Sequence, residues 1–475
     1  MGNTFESPFN SRYSSPEMLD LFSSDKRFKT WRLLWIALAE AEKELGIAIT
    51  DEQIEELKRF KDDINYATAE KKERQLKHDV MAHIYAYGEQ CPKAAGIIHF
   101  GATSCYVTDN ADIIIMRDAL NLISKKVLTI IKELSAFALK YKNMPCLGFT
   151  HFQPAQLVTV GKRACMWIQD LLMDYEDISY VLSTIKLLGN KGTTGTQASF
   201  LKIFDGDNDK VIKLEQLISS KMGFANTFPV SGQTYPRKTD SRIINVLSGI
   251  AESAGKFSND MRLLQGMKEL EEPFDKSQVG SSAMAYKRNP MRCERISSLS
   301  RYVIVNSLGP QLTAYNQWLE RTLDDSANRR ITIPEVFLAV DSILNIFINV
   351  SQGIVVYPKM IEKHIKEELP FIETENILMT AVKKNGNRQM LHERLREHSM
   401  EAGKRIKLEG LDNDLLIRIS NDDEFNLSSE ELKSAMSAEG LAGRAAAQVD
   451  EFIESFIQPV IKNNQTMEGS FEFKF

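Results

Sequence analysis

The chain has 475 residues, of which 43% are hydrophobic and 26% are charged, and its formal net charge is −5. This composition is typical of a globular protein with a large core, and the length favours about three domains or one elongated unit. The acidic balance argues against a general nucleic-acid-binding protein, because such proteins usually carry a basic excess.

The cysteines and the N-terminus argue against export and against a metal site. The five cysteines form no CxxC pair and leave an odd one over, so we expect inert thiols in a reducing compartment. The N-terminal segment lacks the apolar region of a secretory signal, and Glu6 stands where N-myristoylation requires Ser or Thr. The stretch 342–358 is too short and too polar for a membrane span. A cytoplasmic protein without a membrane partner is predicted.

Helical periodicity begins near the N-terminus. Apolar residues recur at helical spacing from Trp31 to Leu45, and Gly46 marks the end of that helix. Thr50 and Gln53 have the spacing of a capping box, which predicts the start of a further helix.

Unusually long helical segments follow in the middle of the chain. They are predicted at 108–142, 155–188, 236–270 and 331–357, with a fifth from 290 to 320 that is interrupted at Gly309 and Pro310. A helix of 35 residues spans about 50 Å, which exceeds the diameter of a small domain. Several of these segments are apolar on more than one face, so we expect a long bundle that other subunits cover.

The predicted fold is all-α, in three parts. An N-terminal helical domain (1–107) precedes a central long-helix bundle (108–358), and a C-terminal helical domain (359–475) follows. Strand signals are confined to parts of 146–152 and to 471–475.

Candidate functional residues cluster in the breaks between the long segments. In FTHFQPAQ, His151 precedes Pro154, which is predicted to be the first residue of a helix; alone, such a histidine is most often a helix cap. In KHDVMAH, the spacing of His78 and His83 does not put both on one helical face, so a zinc site is not indicated.

Two further breaks carry small and hydroxyl residues. HFGATS ends in Thr103 and Ser104, before a helix predicted to open at Thr108. KGTTGT lacks the residue order of a P-loop, so it is interpreted as a turn, with contact to an anion as the alternative.

Cations gather in three other segments: SGQTYPRK, ERTLDDSANRR and QVGSSAMAYKRNPMRCERI. Each charge run taken alone is most often a solvated face. Together with one well-placed histidine and a Gly-Ser-Ser loop, they favour proton-transfer chemistry on an anionic substrate, with no metal or other cofactor.

The last of these segments contains GSSAMAYKRNP, which resembles the GSSxMPxKxNP signature loop of the fumarase/aspartase superfamily. With SRYSSPEM, KHD, GATS, THFQPAQ, KGTTGTQASF and ERTLDDSANRR in order, the chain from about residue 11 to past 415 is similar to the adenylosuccinate lyase family of the animal type. The resemblance implies carbon–nitrogen lyase activity without a cofactor. The expected substrates are adenylosuccinate, giving AMP and fumarate, and the succinylaminoimidazole carboxamide ribotide of purine biosynthesis.

The resemblance also assigns residues and an assembly. Ser281 corresponds to the base, His151 to the acid, Lys287 to a group that stabilises the developing charge, and His78 to an orienting group. Substrate contacts are implied for Arg12, Tyr13, Lys77, Asp79, Thr103, Ser104, Gln233, Arg295, Arg321, Ser326 and Arg330. A homotetramer with active sites shared among three chains is expected.

Two positions depart from the family pattern. Ala285 stands where the signature usually has proline, and Lys77 stands where near relatives commonly carry arginine. Neither departure removes a catalytic group. Another lyase of the superfamily, such as argininosuccinate lyase, and a non-catalytic protein that keeps the fold are the alternatives at this point.

Overall fold

The structure of the chain, a computed structural model, describes residues 4–275, 278–435 and 441–469. The fold is all-α, as predicted, and within these residues the strands form two small antiparallel pairs. The predicted strand at 471–475 lies outside the described residues.

Short helices form the N-terminal region, and the capping box of Thr50 and Gln53 is present at the start of the third. These helices are α1 (Pro16–Leu21), α2 (Ser24–Glu44), α3 (Asp51–Arg59), α4 (Tyr66–Leu76) and α5 (Asp79–Gln90).

The central region contains the long helices. Its elements in chain order are α6 (Ser104–Lys140), β1 (Pro145–Thr150), β2 (Gln153–Thr159), α7 (Val160–Thr184), α8 (Ala198–Ile203), α9 (Asn208–Lys221), α10 (Lys238–Gly266), β3 (Leu270–Glu271), α11 (Met291–Asn306), α12 (Leu308–Tyr315), α13 (Asp325–Gly353) and β4 (Val355–Val356).

Shorter helices return after residue 357. They are α14 (Pro358–Ile372), α15 (Thr374–Lys383), α16 (Arg388–Lys404), α17 (Leu415–Ser420), α18 (Ser429–Ala435), α19 (Ala445–Phe452) and α20 (Gln458–Asn463). The division of the chain after residues 107 and 358 stays a prediction.

Three long helices, α6, α10 and α13, run in the same direction. Asp112 and Lys126 of α6 contact Arg329 and Asp341 of α13 in the same order along both helices. Asp240 and Arg329 pair near the starts of α10 and α13, and Phe257 and Phe347 stack further along the same two helices. Helix α10 therefore also runs in the direction of α13. We call the end where α6, α10 and α13 begin the cavity end, and the opposite end the loop end.

Helices α7 and α11 run the opposite way. Trp167 near the start of α7 donates to Asp260 near the end of α10, and Asp170 pairs with Lys256 one turn earlier on α10. At the loop end, Glu272 accepts hydrogen bonds from the first turn of α11, which places that start beside the end of α10. The result is a five-helix bundle, whose connections include a hairpin after α6 and the helices α8 and α9 after α7.

The core of this bundle is continuous with the packing of the N-terminal helices. One apolar cluster extends from Phe9 to Ile365 and also takes in Val449, Ile453 and Ile457, while a second lies within 377–432. Helix α13 is long and apolar enough to cross a membrane by length and composition. However, 72% of its most apolar window is buried inside the protein, which accounts for its apolar character as a core helix.

Several predicted helix boundaries are wrong. Helix α13 begins at Asp325 rather than at 331, and the fifth segment is interrupted at Ser307 rather than at Gly309 and Pro310. Helix α6 begins at Ser104 rather than at Thr108, and residues 155–159 belong to strand β2 rather than to a helix that starts at Pro154. His151 and Phe152 both have positive φ, 52° and 58°, which is the backbone of a tight two-residue hairpin turn. Because the chain reverses at this turn, the following residues pair with β1, and α7 starts only at Val160.

An apolar surface extends from the end of α12 into the following loop. We call it the 312–323 surface. Its exposed side chains are Leu312, Tyr315, Trp318, Leu319 and Leu323, and Leu319 is 99% exposed. Exposed apolar surface of this kind marks an interaction site more often than a solvated face.

The start of α7 lies tightly against the end of α6. A Cβ atom built on Gly161 would lie 2.3 Å from the carbonyl oxygen of Ala138 and 2.7 Å from the Cα of Lys142. We predict that Gly161→Ala lowers the free energy of unfolding by about 1–3 kcal/mol, the usual cost of overpacking.

Thermal unfolding followed by circular dichroism measures this effect. Gly403→Ala in α16 is the control, because a Cβ there meets nothing within 4 Å. Equal melting temperatures for the two variants would contradict the tight contact between α6 and α7.

Candidate active site

A cavity of about 860 Å³ opens at the cavity end of the bundle. Its walls come from α2, the α4–α5 junction, the starts of α6 and α10, and the segment around the start of α13. Nine of the residues assigned from the sequence line it: Lys77, His78, Asp79, Thr103, Ser104, Gln233, Arg321, Ser326 and Arg330.

The junction of α4 and α5 presents three of these residues in succession. Lys77 ends α4 in the left-handed conformation, with φ 55°, and His78 immediately caps α5. Asp79 lies in the first turn of α5 and pairs with Arg330 of α13 at 3.2 Å. The sharp reversal therefore directs consecutive polar side chains towards the same cavity.

The cap also fixes the tautomer of His78. Its Nδ1 accepts the backbone N–H of Met81 at 3.3 Å, so in the neutral ring the proton lies on Nε2. That Nε2 lies 3.4 Å from the hydroxyl oxygen of Ser104. His78 therefore presents an N–H to the cavity, where it can orient a substrate oxygen or a second polar side chain.

A thiol joins two other lining residues. Arg321 contacts Cys105 Sγ, and the same sulfur lies 3.5 Å from Gln233 Oε1. The Gln233 amide also donates to the carbonyl oxygen of Thr193 at 3.1 Å, within the KGTTGT segment. Burial raises the pKa of Cys105 to about 12, so this thiol is inert as a nucleophile and acts as a neutral contact.

The KGTTGT segment forms a turn that supports this wall. Gly195 has φ 83°, and a Cβ there would lie 1.9 Å from the carbonyl oxygen of Ser231. Only glycine permits this approach of two backbone segments. The turn interpretation fits the structure, and the segment acts through the position of Gln233.

In the wall of the cavity, a buried ion network joins the starts of the three parallel helices. Arg237 pairs with Asp109 of α6 at 3.0 Å and with Asp325 of α13 at 2.5 Å. Arg329 of α13 pairs with Asp240 of α10 at 2.7 Å, and Tyr235 donates to the same carboxylate at 2.6 Å.

The two arginines of this network stay charged because they are paired. Burial lowers the pKa of Arg237, but Asp109, Tyr235 and Asp240 together raise it, so that the net shift is upward. A buried ion pair that loses one partner costs about 3–5 kcal/mol, because the other charge is left unpaired. The relative position of the three helix starts, and hence of the cavity walls, is therefore fixed.

His99 buttresses the loop that carries Thr103 and Ser104. Its Nδ1 accepts the indole N–H of Trp35 at 2.9 Å, and its backbone is left-handed, with φ 66°. Burial, with a smaller contribution from His78, lowers the pKa of His99 to about 4. His83, the second histidine of KHDVMAH, is buried against Phe28 and does not line the cavity.

The other six assigned residues do not line this cavity. His151 is at the exposed tip of the β1–β2 hairpin, and Ser281 and Lys287 are in the loop between β3 and α11. Arg295 is in the first turns of α11, and Arg12 and Tyr13 are in a short π-helical turn, Phe9–Tyr13, that packs on α13.

Chain geometry separates His151 from the cavity of its own subunit. The 37 residues of α6 span about 54 Å from Ser104 to Lys140. The eleven following residues to His151 reach back by at most about 40 Å. The Cα atoms of Ser104 and His151 are therefore at least about 14 Å apart.

The loop that carries Ser281 is also fixed at the loop end. Gln265, in the last turn of α10, donates to the carbonyl oxygen of Arg288 at 3.1 Å, and Arg288 pairs with Glu271 at 3.3 Å. Gln265 lies about 42 Å along α10 from Arg237 at the cavity end. Within one chain, the residues assigned to the cavity and the residues assigned to the chemical step therefore lie at opposite ends of the bundle.

Within the loop, the hydroxyl of Ser281 already has hydrogen-bond donors. Its Oγ accepts the backbone N–H of Ala283 at 3.3 Å and that of Met284 at 3.1 Å. Asn289 donates to the carbonyl oxygen of Gly280 at 2.8 Å and closes the base of the loop. Tyr286 is 98% exposed, and Met284 is exposed as well, so the loop presents apolar side chains outward.

Several lining residues were missed from the sequence. Asp109 and Asp112 are acids in the first turns of α6, directly before the apolar run 113–116, which is a signal that sequence reasoning could have used. Arg27 and Glu73 lie on ordinary helical faces, and nothing in their surroundings in the sequence marks them. Among the described residues, no group of three or more His, Cys, Asp or Glu is arranged to hold a metal ion.

Comparison with known proteins defines the class. Residues 25–305 match the lyase family, and residues 370–452 match the family described as the adenylosuccinate lyase C-terminus. The crystal structure of 3-carboxy-cis,cis-muconate lactonizing enzyme from Pseudomonas putida has a TM-score of 0.82 at 20% identity, covering 96% of this chain and 99% of that one. A fumarate lyase from Mesorhizobium sp. BNC1 gives 0.79 at 20% identity, covering 95% and 100%. These likenesses define the fold.

Sequence relatives define the family. Adenylosuccinate lyase of Saccharomyces cerevisiae is 50% identical over 463 residues, which cover 97% of this chain and 96% of the yeast protein. That of Schizosaccharomyces pombe is 50% identical over 98% and 97%, and that of Schistosoma mansoni is 48% identical over 96% and 96%. The chain is a lyase and belongs to the adenylosuccinate lyase family of the fumarase/aspartase superfamily.

The lowered pKa of His99 predicts a pH effect on stability. Between pH 6.5 and 4 the unfolded chain binds a proton that the folded chain does not, so the free energy of unfolding falls as the pH falls through this window. We predict that His99→Asn weakens this dependence by up to about 1.4 kcal/mol per pH unit. Asparagine does not titrate, tolerates positive φ and keeps an acceptor for Trp35.

Urea denaturation at pH 7 and pH 5 measures the dependence in both proteins. An unchanged difference between the two pH values in the variant would mean that His99 is protonated in the folded state.

Proposed function

We propose that the chain catalyses β-elimination of fumarate from adenylosuccinate, giving AMP, and from the succinylaminoimidazole carboxamide ribotide, in purine nucleotide biosynthesis. A base removes a proton from the β-carbon of the succinyl group, the carbon–nitrogen bond breaks, and an acid protonates the leaving nitrogen. In this proposal Ser281 is the base and His151 is the acid, and the protein works in the cytoplasm.

The hydrogen bonding of Ser281 carries the proposal. A serine hydroxyl is a poor base at its ordinary pKa, so its alkoxide form must be stabilised. Two backbone N–H groups point at Ser281 Oγ, as donors do in an oxyanion hole, and Lys287 in the same loop can add positive charge. The arrangement resembles a preorganised site for a negatively charged oxygen.

The cationic wall of the cavity supports an anionic substrate. Arg321, Arg330 and Lys77 line the same space as the hydroxyls of Thr103, Ser104 and Ser326. Cations of this kind suit phosphate and carboxylate groups, and the neighbouring hydroxyls and the amide of Gln233 can fix their orientation. His78 then orients the bound substrate and the acid.

We further propose that the active site forms only in a homotetramer. His151 and Ser281 lie at the loop end, whereas the cavity lies at the opposite end of helices that span about 42–54 Å. Packing of bundles side by side in opposite directions brings the loop end of one subunit to the cavity end of another. The 312–323 surface and the apolar tip of the Ser281 loop are available for such contacts.

Release of fumarate from three substrates tests the reaction. The purified chain is expected to release fumarate from adenylosuccinate and not from argininosuccinate or malate. Release from argininosuccinate alone would assign a different lyase activity, and no release from any substrate would favour a non-catalytic protein with the same fold.

The two adjacent serines have distinct predicted roles. We predict that Ser281→Ala abolishes turnover while substrate still binds, because only the proton acceptor and its two donors are affected. Ser282→Ala is the matched control and is expected to keep measurable turnover. Turnover and binding by calorimetry are measured on both variants, and the reverse ranking would show that the other hydroxyl is the base.

Mixed subunits test whether sites are shared. His151→Asn keeps a residue that tolerates the left-handed turn but removes the acid, and is expected to lower turnover by about two to four orders of magnitude. When His151→Asn and Ser281→Ala subunits exchange at equal amounts, each site receives both intact residues with a chance of about one quarter in a symmetric oligomer.

Activity is measured before and after exchange, with exchange confirmed by native mass spectrometry of a tagged subunit. Recovery towards a quarter of wild-type activity is the expected result. Activity that stays at the level of the separate variants after full exchange would place both residues in one chain.

A further inference from the structure

A fully buried ion pair crosses the middle of the bundle. Lys126 of α6 contacts Asp341 of α13, and neither side chain has any exposed surface. Burying two charges costs several kcal/mol per ion, and apolar residues of similar size often serve stability as well or better. Stability alone therefore does not account for this ion pair in an apolar core, and its other contacts indicate its role.

These other contacts lead to the N-terminal segment. Asp341 Oδ2 accepts the backbone N–H of Ser15 at 2.6 Å, and Asp341 Oδ1 accepts the Ser15 hydroxyl at 3.0 Å. Lys126 donates to the same hydroxyl at 3.2 Å and to Asn345 at 2.6 Å. Both charges thus bond to one residue of the segment as well as to each other.

The residue next to it is held in the same way. The hydroxyl of Ser14 donates to the carbonyl oxygen of Leu338 at 3.1 Å and lies 3.2 Å from the hydroxyl of Ser342. We call residues 9–15 the N-terminal arm. Apolar contacts flank its polar attachment, because Phe9 packs on Tyr302 and Met18 is fully buried just beyond it.

We propose that Lys126 and Asp341 are positioning residues, whose role is to dock the N-terminal arm so that Arg12 and Tyr13 reach the substrate. This inference rests on the proposed function, in which those two residues contact substrate. The ion pair supplies a charged acceptor and a charged donor for Ser15, and such hydrogen bonds are about twice as strong as neutral ones. The backbone two residues beyond Tyr13 is thereby fixed to the rigid α6–α13 contact.

The inference predicts an effect on binding rather than on chemistry. A displaced arm weakens contacts that are made equally in the bound substrate and in the transition state, so KM rises while kcat is kept. A purely structural role of the ion pair would instead change the melting temperature without this split.

The test replaces both charges by apolar residues of similar size, Lys126→Met with Asp341→Leu, so that no unpaired charge is left in the core. Hydrogen–deuterium exchange of a peptide that covers the arm measures docking, and steady-state kinetics with adenylosuccinate measure KM and kcat. We expect exchange at Ser15 to accelerate at least about tenfold, and KM to rise about tenfold with kcat within about twofold of wild type.

A second variant covers the case in which the double replacement does not fold. Ser15→Ala keeps the ion pair and the backbone hydrogen bond to Asp341, but removes the hydroxyl that bonds to both charges. It is expected to change hydrogen–deuterium exchange and KM in the same direction by a smaller factor. Lys384→Met with Glu431→Leu is the control, because it removes a lysine and a carboxylate from a partly exposed pair that joins the end of α15 to α18. That variant should leave both measurements unchanged.

Arg12→Ala distinguishes failure of the positioning role from failure of the assignment of Arg12 to the substrate. An unchanged rate of hydrogen–deuterium exchange in the arm of the ion-pair variant overturns the positioning role. Faster exchange with unchanged KM also overturns it when Arg12→Ala raises KM. If Arg12→Ala leaves KM unchanged as well, the assignment of Arg12 to the substrate fails, and the docking of the arm remains as a measured fact without a role in binding.

Discussion

The shared direction of α6, α10 and α13 is the constraint on which the rest of the structure depends. Buried ion pairs fix it at two levels, with Arg237 and Arg329 at the cavity end and Lys126 with Asp341 in the middle of the bundle. Because the helices begin together, the residues at their starts form one cavity. Because these helices are long, the residues at their C-terminal ends lie far from the cavity.

This separation explains the two kinds of functional segment in the chain. The cavity end is built from helix starts and capping residues, and its side chains are held by a paired network. The loop end is built from a hairpin tip and an exposed loop, whose side chains meet little of their own chain. A buried binding wall and an exposed chemical group place different demands on the backbone, and the chain meets them at opposite ends of the same helices.

Much of the fold could be predicted from apolar periodicity, because long helices produce a strong and regular signal. The errors occurred where local signals conflict. In QPAQLVTV, proline suggested a helix start, whereas β-branched residues and a hairpin turn of His151 and Phe152 decided for a strand. That turn lacks the glycine or asparagine by which such turns are recognised.

The residues of the candidate site were assigned from motif resemblance, which does not give their arrangement. The structure brings nine of the assigned residues into one cavity. Periodicity cannot reveal that Arg237 and Arg329, which resemble surface charges in the sequence, are buried in the wall of that cavity. Their acidic partners lie on other helices, more than 85 residues away in the chain.

The 312–323 surface has a consequence for the life of a newly made chain. In a single subunit that has not yet met a partner, these apolar side chains are exposed to solvent, and Leu319 is almost fully exposed. Bare surface of this kind favours self-association as well as correct pairing, and the balance depends on concentration. Assembly of newly made subunits therefore competes with their aggregation. Slow synthesis or strong dilution lowers the concentration of free subunits and so disfavours the native oligomer.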